Sequence, residues 1–321
     1  MSLRMIPASA GRSNTQSRPV DAAWICARYE AVRPRLPQST FPTFSRHADG
    51  LLTIAEQFDA FFLDAFGVLN VGGEAIPGAP EVVAELQRLG KTVLVLTNGA
   101  TQSAADALAK YRRWGYAFAS RDVIASRDLL HDALKAWAPN IQWGFAAPEV
   151  AALNELPVAT ISLELDAKAY DEADGFVFLS TRSWSHEQQA LLHAALLQRP
   201  RPLLVANPDI AAPHEEGFSL EPGHFAHLLA ELPGVDARFY GKPFNNAFEE
   251  AFARLDERGV QTPVRKRVAM VGDSLHTDIL GGAAAGCATV LITGYGLFRG
   301  SDHAGPIRES GIVPDYVLIG V

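Results

Sequence analysis

Three observations predict an α/β fold: a doubly wound parallel sheet with a second, smaller α/β domain inserted into it. Apolar runs of strand length alternate with segments of helical spacing across short connections, as in FFLDAFGVLN, EVVAELQRLG and KTVLVLTNGAT. The chain has 321 residues, more than one hydrophobic core usually serves, so two domains are expected. Between about residues 139 and 236 the alternation restarts with strands and helices of its own, too much structure for a loop. The expected organisation is an N-terminal arm with an accessory helix over 1–50, core over 51–138, insert over 139–236 and core again over 237–321.

The first 20 or so residues are rich in Ser and Arg and show no apolar period. They read as an arm, with a transit peptide as the competing explanation. Apolar positions at helical spacing then begin, with Asp21 as N-cap and Pro34 as stop. The run from Phe61 to Leu63 is a buried strand that delivers Asp64 to its C-terminal tip, and Gly67 breaks the pattern just after. The segment EVVAELQRLG is a helix closing on Gly90, and KTVLVLT is a strand apolar throughout, as suits burial on both faces. Helices follow over 104–114 and 127–137. In the insert, strands are expected at 141–146, 159–163, 175–179 and 203–206. Helices are expected near Pro148 to Leu156 and after Ser185, where Ser185 and Gln188 have the capping-box spacing. The core then resumes with a strand in ARFYGKP ending at Lys242, the helix FNNAFEEAFARLDERG, the strand VAMVGD, a helix from TDILGG, and the strands ATVLIT and PDYVLIG.

Composition narrows the function. Nearly half the residues are apolar and a fifth are charged, which is ordinary for a globular chain. The net charge of −8, with no basic run, argues against a nucleic-acid surface. No apolar stretch is long enough to span a membrane, and Cys26 and Cys287 lack metal-ligand spacing. Free thiols in a reducing cytoplasm are the expectation. Oligomeric state is not legible, a homodimer being one outcome.

The chemistry concentrates at strand tips, where open α/β sheets place ligands. Asp64, Asp273 and Asp278 supply three carboxylates and Lys242 one ammonium. That set describes a site for a divalent metal and a phosphate. Thr97 offers a hydroxyl, and Asn98 and Gly99 offer backbone N–H groups near a helix start, a natural anion cradle.

Taken in order, DAFGVL, the IPGA loop, LTNGAT, NPD, GKP and VGDSLHTD resemble the motifs of the haloacid dehalogenase-like hydrolase superfamily. The likeness is to its nitrophenylphosphatase-like branch of sugar and nucleotide phosphatases, and it covers roughly Leu51 to Val321. The interval from Asp64 to Thr97 holds one loop and one helix, whereas that from Thr97 to Lys242 is several times longer. The cap domain therefore falls between the second and third motifs of a Rossmann-like core, as in that branch. The resemblance implies a phosphatase acting on a small phosphorylated metabolite. Asp64 would be the nucleophile, and Mg²⁺ would be held by Asp64, the Phe66 carbonyl and Asp273, with Asp278 orienting them or reaching the ion through water. Thr97, Asn98, Gly99 and Lys242 would hold the phosphoryl group.

One position departs from the pattern. Where the phosphatases carry a second aspartate, the general acid and base, this chain has Phe66. Its carbonyl can serve a metal but its ring cannot move a proton, so slow or leaving-group-selective turnover is expected. Three outcomes follow: substrates such as acyl or aryl phosphates that need little protonation, replacement by His214 or His276, or a module that binds without turnover. Dehalogenation is disfavoured because the GDxxxTD carboxylates are retained. Substrate choice is expected from the cap, with Arg182, Asn207, Asp209 and His214 as candidates.

Overall fold

The computed structural model describes residues 20–148, 151–214, 217–260 and 265–321. The expected arm up to residue 19 lies outside them, as does part of the helix expected near Pro148. Within them that stretch makes only a 3-10 turn at Leu153–Glu155.

Seven parallel strands form the larger sheet, in the order Arg46–His47, Tyr316–Leu318, Ala288–Ile292, Val268–Gly272, Ala60–Leu63, Thr92–Thr97, Val123–Ala125. The strand Ala60–Leu63, fifth of the seven in order but central to the site because it bears Asp64, is covered on both faces, which explains its unbroken apolar run. Phe61 and Leu63 pack with Val83, Leu86 and Tyr111 on one side. Ala60 and Phe62 pack with Phe248, Ala251 and Leu255 on the other. Each fully buried phenylalanine here stabilises the fold by about 1.5–3 kcal/mol. From the central strand the chain continues to Thr92–Thr97 on one side, and its later strands stack on the other. The reversal of strand order therefore falls beside Asp64, the crevice in which such sheets bind ligands. Register sets the site: Leu63 pairs with Val271 and with Val95, so Asp64, Asp273 and Thr97 emerge together at one edge.

The first helix, Ala22–Val32, is capped by Asp21, whose carboxylate accepts from Trp24 N at 2.7 Å. Ala22, Ile25, Cys26, Tyr29 and Val32 repeat at helical spacing and are buried against Leu275, Ile279, Leu297 and Ile312 of the core. Pro34 sits in the 3-10 turn Arg33–Arg35 that ends it. Two short core strands escaped the sequence reading, Arg46–His47 at one edge and Val123–Ala125 at the other.

A second sheet holds five parallel strands, in the order Ala237–Phe239, Leu203–Val205, Gly175–Phe178, Gln142–Ala146, Ala159–Ser162. The capping box of Ser185 and Gln188 opens the helix His186–Gln198 beside it. One expectation is corrected here: the strand ending before Lys242 joins this sheet and does not resume the core. Ala237 to Phe239 pair with Leu203 to Val205, and Phe239 is buried with Phe178 and Leu203, so both edge hydrogen bonds and side chain hold it there. The NPD segment leads into a β-hairpin, Ala211–His214 with Gly217–Leu220, where a loop was expected.

Candidate active site

Asp64 leaves the central strand with its N–H bonded to Val271 O at 2.9 Å. Its Oδ1 accepts from Ala65 N at 2.7 Å and meets Lys242 Nζ at 2.6 Å. The same ammonium lies 2.7 Å from Asp278 Oδ1. Asp278 Oδ2 accepts from the N–H groups of Asp273 and Ser274 at 3.1 and 3.0 Å, which ties down the turn after Val268–Gly272. Both Asp278 oxygens are thus engaged. Asp273 Oδ2 accepts from Leu297 N at 2.7 Å. Among the described residues nothing donates to Asp64 Oδ2 or Asp273 Oδ1, and one oxygen from each of Asp64, Asp273 and Asp278 lies within 4.8 Å of the others. Gly67, at φ +75°, closes the loop onto this cluster. A Cβ there would fall 2.7 Å from the Asp273 side chain, so only glycine fits.

The electrostatics need a cation. Burial pushes the Asp64 carboxyl up to about 7 against the pull of Lys242, with the Asp278 charge adding to the rise. Burial likewise holds Asp273 well above the carboxylate range, helped by Asp278 and Asp64. Lys242 stays charged: burial works against its ammonium, but Asp278 and Asp64 outweigh it and move its pKa above the ordinary lysine value. One ammonium cannot neutralise the buried carboxylates of Asp273 and Asp278 together with the partly buried one of Asp64, whereas a hard divalent ion can be coordinated by the unengaged oxygens. The donor set fits magnesium.

Asn98 does more than its backbone position foretold. Its side chain clamps the backbone of Lys242, donating to the carbonyl and accepting from the N–H at 2.8 Å each, and it also donates to Asp209 Oδ1 at 2.8 Å. Gly99 N donates to Thr97 Oγ1 at 3.1 Å, so an incoming anion would compete for the Gly99 N–H, while the Thr97 hydroxyl still has its own proton to donate. The expected helix N-terminus is not at these residues. That helix starts at Ala104, capped by Ser103, and Asn98 and Gly99 stand in the loop ahead of it.

These residues line a cavity of about 30 Å³, the room of a single water. Asp64, Phe66, Thr97, Asn98, Gly99, Asp209 and Asp273 all face it. Burial raises the Asp209 carboxyl to about 8, opposed by Lys242. The remaining cap candidates stand apart from the cavity. Asn207 is buried, donating to Glu221 Oε2 at 3.0 Å and accepting from Asp209 N. His214 bonds Ser219 Oγ at 2.9 Å, with its ring 6.5 Å from that of Phe66, and Arg182 is exposed. His276 does not reach the cavity either: its Nε2 is 2.6 Å from Glu30 Oε1, and its ring stacks on Tyr29 at 4.9 Å. Sequence reasoning missed Ile25, Tyr29, Ser274, Thr277 and Leu297, which also line the cavity. Ser274 and Thr277 lie inside VGDSLHTD and could have been read from it. The first helix carried no such mark.

Comparison with known proteins shows the family and the fold. A model described as haloacid dehalogenase-like hydrolase matches residues 61–145, and one described as HAD-hydrolase-like matches 239–318. D-glycerol 3-phosphate phosphatase of Mycobacterium tuberculosis is 30% identical over 270 residues, 83% of this chain and 70% of that one. The solved p-nitrophenyl phosphatase from Archaeoglobus fulgidus superposes with a TM-score of 0.65 at 26% identity, covering 82% of this chain and 96% of that one. A glycerol phosphate phosphatase from Mycobacterium tuberculosis, solved in complex with magnesium, gives a TM-score of 0.62 at 24% identity over 82% and 75%. At that identity the last likeness speaks for the fold alone.

Proposed function

Because the chain belongs to the haloacid dehalogenase-like hydrolases, on their nitrophenylphosphatase-like branch, and is a phosphohydrolase, we propose that it cleaves a small phosphomonoester through a phosphorylated Asp64. The observation that carries this reading is the pairing of one engaged and one unengaged oxygen on Asp64, beside Lys242 and Asp273 at the strand tips. An Asp64 carboxylate oxygen attacks phosphorus, the bond to the leaving oxygen breaks, and water then releases phosphate and restores the carboxylate. Lys242 balances charge on Asp64 throughout, and the Thr97 hydroxyl with the loop N–H groups receives the phosphoryl oxygens.

Asp64, Asp273 and the Phe66 carbonyl would hold Mg²⁺, which when bound supplies positive charge to the phosphoryl oxygens. It would also keep Asp64 ionised. Burial raises the Asp64 carboxyl against the pull of Lys242, so the added positive charge would favour its ionised form. Phe66 leaves the departing oxygen without a proton donor at that position, which supports preference for leaving groups stable as anions. The relatives' substrates, glycerol and sugar phosphates, mark the size class.

The test is magnesium-dependent release of phosphate from 4-nitrophenyl phosphate by the wild type and Asp64→Asn. The wild type should turn over and the variant should lose at least about 10³-fold, the scale of removing a catalytic nucleophile. Equal release by the two would end the proposal, and no release by the wild type would favour the binding-only reading that Phe66 raises.

A further inference from the structure

The catalytic cavity has two unlike halves. Strand tips and their loops furnish the polar half. The other half is furnished by Ile25 and Tyr29 of the first helix, Phe66, Ala211 and Pro213 of the hairpin, and Leu297. Apart from the Tyr29 hydroxyl, these side chains offer nothing that could hydrogen-bond a sugar or polyol.

The helix side of this wall is fixed. Ile25 and Tyr29 belong to the buried face that packs on Leu275, Ile279 and Ile312. Tyr29 is held three ways: its ring stacks on His276 at 4.9 Å, its neighbour Glu30 meets His276 at 2.6 Å, and its hydroxyl accepts from Ile210 N at 3.0 Å. Among the described residues the hydroxyl's own proton meets no acceptor, and Tyr29 as a residue is buried, 2% exposed. Burial keeps that phenol protonated, with the nearby Asp209 charge acting in the same direction. The hairpin side is looser, since every residue of Ala211–His214 and Gly217–Leu220 is only partly buried.

Resting on the phosphohydrolase reading above, we infer that the first helix is part of the active site. Ile25 and Tyr29 form the surface that a leaving group meets, and they select a small, apolar aryl or acyl leaving group over a polyol, with the free Tyr29 proton as its one hydrogen-bond donor. A buried site that cannot pair hydroxyls rejects them by desolvation, and a buried donor without an acceptor favours a substrate that supplies one. The relatives named for glycerol phosphate would then differ from this chain in the wall opposite the nucleophile.

The test measures kcat/KM with magnesium for 4-nitrophenyl phosphate, acetyl phosphate and glycerol 3-phosphate, on the wild type, Tyr29→Phe, Ile25→Ala and Asp64→Asn, each with a thermal melt. The wild type should prefer the aryl and acyl substrates to glycerol 3-phosphate by more than about tenfold. Tyr29→Phe, which keeps the ring stack, should raise KM severalfold and change kcat less. Ile25→Ala should narrow the aryl preference severalfold; should it fail to fold, Ile25→Val should move the ratio the same way by less. Preference of the wild type for glycerol 3-phosphate would overturn the inference. So would variants that melt earlier yet keep wild-type ratios and KM, the mark of a purely structural helix. Asp64→Asn as active as the wild type is a separate result, and it would remove the phosphohydrolase reading itself.

Discussion

The two halves of the catalytic cavity are built on opposite principles. On the strand side most polar atoms already have partners, Asp278 with Lys242 and two backbone N–H groups, one Asp273 oxygen with Leu297, the Lys242 backbone with Asn98, while the buried Ser274 hydroxyl and one oxygen each of Asp64 and Asp273 have none among the described residues. Glycine at position 67 lets the loop press against Asp273 where any side chain would collide. On the cover side the wall is apolar except for the Tyr29 hydroxyl, which accepts from Ile210 N and whose proton has no acceptor among the described residues. Fixed polar geometry on one side and shape on the other suggest a division of labour, with reactivity set by the strands and choice of substrate by what lies over them.

The sharpest way to break that contrast is to attack the strand side. Lys242→Met removes the buried ammonium and leaves Asp64 and Asp278 facing each other uncompensated. A loss of about 3–5 kcal/mol of stability is expected in denaturant titration without metal, along with phosphatase activity. A stability within about 1 kcal/mol of the wild type would show that the carboxylates do not depend on that cation. Next in size is Phe66→Asp, which carries polarity into the cover side. It should raise turnover of alkyl phosphates by about 10²-fold, and that of aryl phosphates, whose leaving groups need little help, by much less. Equal or lower rates for both classes would mean that a missing proton donor does not limit the wild type.

The smallest effect is a pH dependence. Asp209 has a folded-state carboxyl raised from the ordinary 3.8 to about 8 by burial. A raised carboxyl contributes stability that is full below the unfolded value and is lost as pH climbs through the folded one. Metal-free wild type should therefore melt at progressively lower temperature from about pH 4 to about pH 8. Asp209→Asn, which cannot ionise, should flatten part of that slope. An identical slope in both would mean that Asp209 does not carry its proton in the folded protein.

What the sequence disclosed and what it hid divide along the same line. Asp64, Thr97, Lys242 and Asp273 were legible because each ends or follows an apolar run or a glycine turn that announces a strand end; parallel register brings Asp64, Thr97 and Asp273 together, and Lys242 joins them from the other sheet with its backbone held by Asn98. Asp278 was legible as a carboxylate but not as a group with both oxygens occupied, which depends on the turn it closes. Tyr29 carried no local sign. It sits on the apolar stripe of an amphipathic helix, where an aromatic residue reads as core, and only tertiary packing brings it to the wall of the cavity beside Asp64. Strands of two or three residues, at Arg46–His47 and Val123–Ala125, are too short to display a period. The strand Ala237–Phe239 was visible, but three residues cannot say which of two sheets they will complete.

The contact of Glu30 and Tyr29 with His276 has a practical corollary for how this polypeptide can be trimmed. The stretch that resembles other hydrolases begins near Leu51, and a scissor guided by that likeness would discard the first helix. What remained would present Leu275, Ile279 and Ile312 to water and leave the reaction chamber roofless on one flank. Such a fragment should be sticky and indiscriminate, and recombinant work on this molecule is best begun upstream of Asp21.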